Sequence, residues 1–95
     1  MSVANPIARR LVIDGLVQGV GFRYAFADEA RARGLAGWVR NRRDGHVEAL
    51  VSGPPPAVES MIAWARIGPP AARVSSVDVE EAIAASGAFE ILATL

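Results

Sequence analysis

The first half of the chain contains a strand pattern followed by a helix pattern. Residues 7–14 are predicted to form a β-strand, with Leu11 and Ile13 on one face and Ala8 and Val12 on the other. Over residues 22–33 the spacing changes to that of an α-helix. The apolar positions on one side of this helix are Phe22, Ala25, Phe26 and Ala30. Gly34 is a natural C-terminal stop for the helix.

The second half begins with a predicted β-hairpin. The strand-like segments 37–42 and 46–51 flank an Asp44-Gly45 pair, which is a strong signal for a tight turn between antiparallel strands. Three prolines at positions 54–56 then interrupt the chain and open a second helix. This helix is expected to end at residues 68–70, a Gly-Pro-Pro sequence.

Two further segments, 74–80 and 89–95, alternate as strands. The predicted order is therefore strand, helix, strand, strand, helix, strand, with a short extra strand at the end. This order is typical of an α+β, ferredoxin-like sandwich, in which an antiparallel sheet carries two helices on one face. We expect residues 1–95 to form one domain, with residues 1–6 as a flexible N-terminal segment.

Composition narrows the possible chemistry. The chain is 52% hydrophobic and 21% charged, which is ordinary for a folded protein, and its net charge is zero. A zero net charge predicts no general attraction to nucleic acids or anionic membranes. The chain has no cysteine and one histidine, so thiol chemistry, disulfides and histidine-cluster metal sites are excluded. Without a signal peptide or apolar span in the sequence, a cytoplasmic location is the default expectation.

The most distinctive local feature is a glycine-rich loop between the first strand and the first helix. Glycine occupies three of the seven positions from Gly15 to Gly21. Glycines at such positions let several backbone N–H groups converge on one point. A helix starting at Phe22 adds its own unbonded N–H groups and positive dipole end, and Arg23 adds a full charge. The loop therefore predicts an anion-binding site.

Two motifs resemble the signatures of one enzyme family. Residues 11–23, with the run from Val17 to Val20 followed by Gly21-Phe22-Arg23, are similar to the first signature of the acylphosphatases. Residues 37–41, a Gly-Trp-Val-Arg-Asn run, resemble the second signature, and Asp44-Gly45 follows it. After Ile91 the chain departs from the family, since Ala93 lies where an aromatic residue is usual.

The resemblance implies an enzyme that hydrolyses acyl phosphates to a carboxylate and inorganic phosphate, without a metal or organic cofactor. It implies phosphate binding by the backbone of the loop residues Gln18, Gly19, Val20, Gly21 and Phe22. Arg23 matches the family's phosphate-binding arginine, and Asn41 matches the asparagine that places the attacking water. The expected partners are a small acyl phosphate and inorganic phosphate, with no nucleic acid or membrane, and the expected state is a monomer.

The chemistry of these residues restricts the substrate class. The amide of Asn41 does not titrate near neutral pH, so it can orient a water but cannot deprotonate one. No acid is evident beside the loop, so the leaving group must depart without a proton. A carboxylate can do so because its conjugate acid has a pKa of about 4. We therefore hypothesise that the water's proton passes to a phosphate oxygen of the substrate itself.

Other interpretations of the same residues remain open. The glycine loop could be only a tight connection, Arg23 could pair with Asp28 on the helix surface, and Asn41 could be a surface strand residue. A basic cluster in the hairpin is expected to lie at a solvated strand edge; it consists of Arg40, Arg42 and Arg43. Two alternative functions are a nucleic-acid-binding ferredoxin-like module and a non-catalytic phosphate-binding or regulatory module. Because the chain ends with the domain, we expect a free-standing enzyme instead.

Overall fold

The computed structural model describes residues 5–95. The predicted flexible segment 1–6 falls mainly on residues 1–4, outside the described residues, while residues 5 and 6 are exposed and precede the first strand. The strands and helices are β1 (Ile7–Leu16), α1 (Phe22–Ala32), β2 (Ala36–Asn41), β3 (Val47–Gly53), α2 (Pro55–Ala65), β4 (Arg73–Ala82) and β5 (Phe89–Ile91).

The five strands form one sheet in the order β4-β1-β3-β2-β5. The first four strands pair antiparallel, which confirms the predicted ferredoxin-like arrangement. The short fifth strand is also confirmed, but it runs parallel to β2 and makes the sheet mixed. It is shorter than the alternating segment 89–95 indicated, because regular pairing ends at Ile91.

Both helices pack on the sheet and share one hydrophobic core with it. Leu11 and Ile13 of β1 are fully buried against this core, as their shared face predicts. An aromatic cluster joins the two helices to β5, with ring centroids 5.7 to 6.1 Å apart. The cluster consists of Phe22, Phe26, Trp64 and Phe89. Burying these rings is a major contribution to stability in a domain of this size.

The strand β2 is not a solvated edge, because β5 and the following residues 92–95 cover the side of β2 that faces away from β3. Arg40 lies on the sheet face opposite the helices, where its guanidinium carbon is 4.6 Å from the centroid of the Trp38 ring. Arg42 pairs with a carboxylate in the hairpin turn at 2.7 Å. The expectation of a solvated edge is therefore wrong for Arg40, which lies on β2, while Arg42 lies in the turn after this strand.

A buried carboxylate links three strands on the face opposite the helices. Glu48 of β3 accepts hydrogen bonds from Arg10 Nε at 2.8 Å and from Arg40 Nε at 2.9 Å. Burial alone would raise the pKa of Glu48, but the hydrogen bonds and charges of Arg40 and Arg10 outweigh it and leave this pKa below its usual value. The ionised carboxylate therefore stabilises the folded state.

The Glu48 pairing predicts a pH-dependent contribution to stability. A lowered pKa in the folded state means that the contribution is present above the unfolded pKa and is lost as the pH falls through the folded pKa. We expect Glu48→Gln to lower the free energy of unfolding by about 1–3 kcal/mol at pH 7. This difference should shrink as the pH is lowered from 7 to 3, measured by urea denaturation.

The matched control is Glu59→Gln on the exposed side of α2, where the side chain makes no hydrogen bond or ion pair among residues 5–95. It should unfold like the wild type at both pH values. If the free energies of unfolding of Glu48→Gln and wild type differed as much at pH 3 as at pH 7, ionised Glu48 would not be the source of the stabilisation.

Candidate active site

The glycine loop and Asn41 lie at the same edge of the sheet. Because β1 and β2 both pair antiparallel with β3, they run parallel to each other and their carboxyl ends meet at this edge. Ile13 pairs with Val47, and Val47 pairs with Asn41, so the three residues form one row across the sheet. The topology thus brings together two segments that are separated by a helix in the sequence.

The loop is shorter than its glycines indicate, since β1 extends to Leu16 and Gly15 lies within it at a β-bulge. Gly19 and Gly21 remain in the loop with φ of +73° and +77°. A Cβ atom at either position would meet nothing within 4 Å, so crowding does not explain these glycines. Their left-handed conformation does, because other residues adopt it at a cost of about 1–2 kcal/mol.

The loop presents unbonded main-chain donors. Within residues 5–95, the N–H groups of residues 18–23 have no protein acceptor, and the first helical bond of this region runs from Ala25 N–H to Gly21 O at 3.1 Å. No side chain caps α1, and its first turn has no acidic residue. The side chain of Phe22 is 1% exposed and belongs to the core. Phe22 can therefore bind an anion only through its main chain.

Arg23 lies in the first turn of α1 and is half-buried. Its guanidinium makes no ion pair among the described residues, so the alternative pairing with Asp28 is absent from this structure. The guanidinium carbon is 5.7 Å from the ring centroid of Tyr24, within range of a cation–π contact. An arginine without a carboxylate partner among residues 5–95 thus lies in the helix turn that directly follows the unbonded N–H groups of the loop.

Asn41, the last residue of β2, is half-buried. It shares the helix-facing side of the sheet with Val47, and its Oδ1 atom is buried without a hydrogen-bond partner. Its main chain is held on both sides, by the pairing with Val47 and by the Leu95 N–H, which donates to Asn41 O at 3.1 Å. A buried acceptor without a partner costs about 1–3 kcal/mol, so it calls for a functional explanation or a bound water.

The side chain of Gln18 has a role that the sequence did not indicate. Its Nε2 atom donates to Arg42 O at 2.7 Å and to His46 O at 2.8 Å. Both acceptors belong to the turn between β2 and β3, so Gln18 connects the loop to the hairpin that carries Asn41. The only signal in the sequence is a side chain with two donors in a loop otherwise rich in glycine, and its acceptors are 24 and 28 residues away.

The hairpin turn contains the single histidine, and two carboxylates lie close to it, one in the turn and one on β1. His46 Nδ1 is 3.0 Å from Asp44 Oδ1, and His46 Nε2 is 3.5 Å from Asp14 Oδ1. The hydrogen bond from the His46 main-chain N–H holds the pKa of Asp44 below its usual value. Within residues 5–95, no group of three or more His, Cys, Asp or Glu side chains is arranged to bind a metal ion. The expectation of a metal-free site stays a prediction.

None of the helices in the described part of the chain is both long and apolar enough to cross a membrane. The chain matches a family model described as acylphosphatase over residues 9–91. An acylphosphatase of Azoarcus sp. (strain BH72) is 56% identical over 88 residues, which cover 92% of this chain and 90% of that protein.

Solved structures show the same similarity. The crystal structure of an acylphosphatase from Bacillus subtilis has a TM-score of 0.85 and 43% identity, covering 90% of this chain and 98% of that one. Full-length HypF in its phosphate- and nucleotide-bound form has a TM-score of 0.88 and 28% identity, covering 98% of this chain but only 13% of that one. The resemblance carried by the two sequence motifs is confirmed over nearly the whole domain, and the chain belongs to the acylphosphatase family.

Proposed function

We propose that this acylphosphatase binds the phosphoryl group of an acyl phosphate at the sheet edge where β1 and β2 end, with Arg23 and the N–H groups of residues 18–22 as its ligands. The observation that carries the proposal is a series of main-chain donors without protein acceptors that leads directly into the helix turn of Arg23, an arginine without a carboxylate partner among residues 5–95. Phosphoryl transfer depends mainly on positioning and on stabilising charge on the equatorial oxygens. Backbone N–H groups and a guanidinium supply that stabilisation.

Asn41 orients the attacking water. Its side-chain amide can form hydrogen bonds with a water molecule, and its Oδ1 has no protein partner among residues 5–95. An amide cannot remove the water's proton, so the proton passes to a non-bridging phosphate oxygen of the substrate. The P–O bond to the acyl group breaks as the bond from the water oxygen to phosphorus forms, and a carboxylate leaves.

This division of roles explains why acyl phosphates are the substrates. A carboxylate leaving group needs no protonation, since its conjugate acid has a pKa of about 4. An alkoxide from a phosphate monoester would need a general acid, and the proposed mechanism supplies none. We further propose that the protein acts in the cytoplasm as a monomer, without a nucleic-acid partner or a metal ion.

Substitution separates phosphate binding from water positioning. We expect Arg23→Ala to lower kcat/KM for benzoyl phosphate by about 100-fold or more and to weaken competitive inhibition by inorganic phosphate, because the charge that holds the phosphoryl group is gone. Asn41→Ala should lower kcat by about 100-fold and leave inhibition by phosphate unchanged. Steady-state kinetics at fixed pH measure both effects.

The control is Arg66→Ala, an exposed arginine at the end of α2 that makes no side-chain hydrogen bond or ion pair among residues 5–95. It should keep wild-type kinetics. Full activity in Arg23→Ala or in Asn41→Ala would remove that residue from the mechanism.

The pH profile tests whether an enzyme group transfers the proton. If the substrate accepts it, kcat for benzoyl phosphate should show no step from an enzyme group near neutral pH. His46→Gln should then have the same profile as the wild type between pH 5 and 8. A step near neutral pH that disappears in His46→Gln would show instead that His46 takes part.

The metal-free mechanism is tested with a chelator. Because the proposed ligands of the phosphoryl group are N–H groups and a guanidinium, prolonged dialysis against EDTA should leave kcat and KM unchanged. Loss of activity that returns when a divalent cation is added would contradict the mechanism.

A further inference from the structure

The two hydrogen bonds of the Gln18 amide link the two halves of the candidate site. One acceptor, Arg42 O, belongs to the residue after Asn41, and the other, His46 O, belongs to the residue before Val47, the strand partner of Asn41. Among the described residues, these are the only hydrogen bonds between the loop 17–21 and the hairpin turn. The link therefore acts at the point where the strand carrying Asn41 ends.

We propose that the Gln18 side chain is a positioning residue, which connects the phosphate-binding loop to the β2–β3 hairpin and so sets the distance between the bound phosphoryl group and the water held by Asn41. This inference rests on the proposed roles of the loop and of Asn41. It goes beyond them because it assigns Gln18 a function through its side chain, in addition to the main-chain N–H.

The turn geometry explains why the link is specific. Arg42 O also accepts from Gly45 N–H at 3.1 Å, and His46 O accepts from Arg42 N–H at 2.9 Å. Each carbonyl therefore uses one lone pair within the turn and offers the other to Gln18. A carboxamide nitrogen fits this site because it has two N–H donors. A carboxylate of the same shape would place an oxygen acceptor against two carbonyl oxygens, so neither hydrogen bond could form.

The expected kinetic effect follows from this geometry. A displacement of about 1 Å between reacting groups can lower the rate by about 100-fold. The phosphate ligands themselves, the loop N–H groups and Arg23, do not depend on the Gln18 amide for their chemistry. Loss of the link should therefore lower kcat much more than it weakens phosphate binding.

The test uses Gln18→Met, which keeps the side-chain length but removes both donors, and Gln18→Glu, which replaces the donor with an acceptor. Ser52→Ala is the matched control, because Ser52 Oγ also makes two hydrogen bonds to the main chain, with Ala85 at 3.1 and 3.0 Å. Ser52 lies at the opposite end of β3 from Val47, far from the loop. Urea denaturation establishes the stability of each variant.

We expect kcat for benzoyl phosphate to fall by about 10- to 100-fold in Gln18→Met, and at least as far in Gln18→Glu. The inhibition constant of inorganic phosphate should stay within about threefold of the wild type, because its ligands remain. Ser52→Ala should lose a comparable amount of stability and keep its kcat. If Gln18→Met does not fold, Gln18→Asn provides the same test, since it is one methylene shorter and withdraws the donors from both carbonyls.

The double variant Gln18→Met/Asn41→Ala distinguishes positioning from an independent effect. If Gln18 acts through Asn41, adding Gln18→Met to Asn41→Ala should change kcat by less than about twofold. The inference would be overturned if the kcat losses of the two single variants multiplied in the double variant. It would also be overturned by an inhibition constant that rises in step with the loss of kcat, or by wild-type kcat in Gln18→Met. Wild-type activity in Asn41→Ala would instead overturn the proposed role of Asn41, and with it the inference.

Discussion

The antiparallel pairing of β3 with both β1 and β2 is the constraint on which the site depends. It makes β1 and β2 parallel, so the loop that follows one and the asparagine that ends the other reach the same edge of the sheet. The row from Ile13 through Val47 to Asn41 fixes the position of Asn41 along the strand direction relative to the end of β1. A shift by one residue would move Asn41 to the opposite face and remove it from the loop.

Two sets of contacts hold this register from the two faces of the sheet. On the helix side, Ile13 and Val47 are fully buried in the common core. On the other side, Glu48 joins Arg10 of β1 to Arg40 of β2 across β3. These contacts hold the register on both faces of the sheet, next to the row that ends in Asn41. The outer side of β2 is covered by β5 and the residues after it. The position of Asn41 is therefore determined by packing as well as by hydrogen bonds.

Several polar groups of the proposed site have no protein partner among residues 5–95. They are the loop N–H groups, the Arg23 guanidinium, which makes no ion pair, and the buried Asn41 Oδ1. Such groups destabilise the folded state, and proteins retain them where function requires preorganised donors and acceptors. Gln18 differs from its neighbours here, since its side-chain nitrogen donates two hydrogen bonds to the hairpin turn.

Local patterns in the sequence were sufficient to predict the order of strands and helices, the Asp44-Gly45 hairpin, and the family to which the two motifs point. They also indicated Arg23 and Asn41, because each lies within a short motif. They could not show that β5 covers β2, that Glu48 pairs with Arg40, or that Gln18 reaches the hairpin turn. Each of those features joins residues whose distance is set by the sheet register and not by local spacing. The sequence by itself therefore determined the family and the groups proposed for the site, and the tertiary structure decided which of those groups are paired within the protein and which have no protein partner.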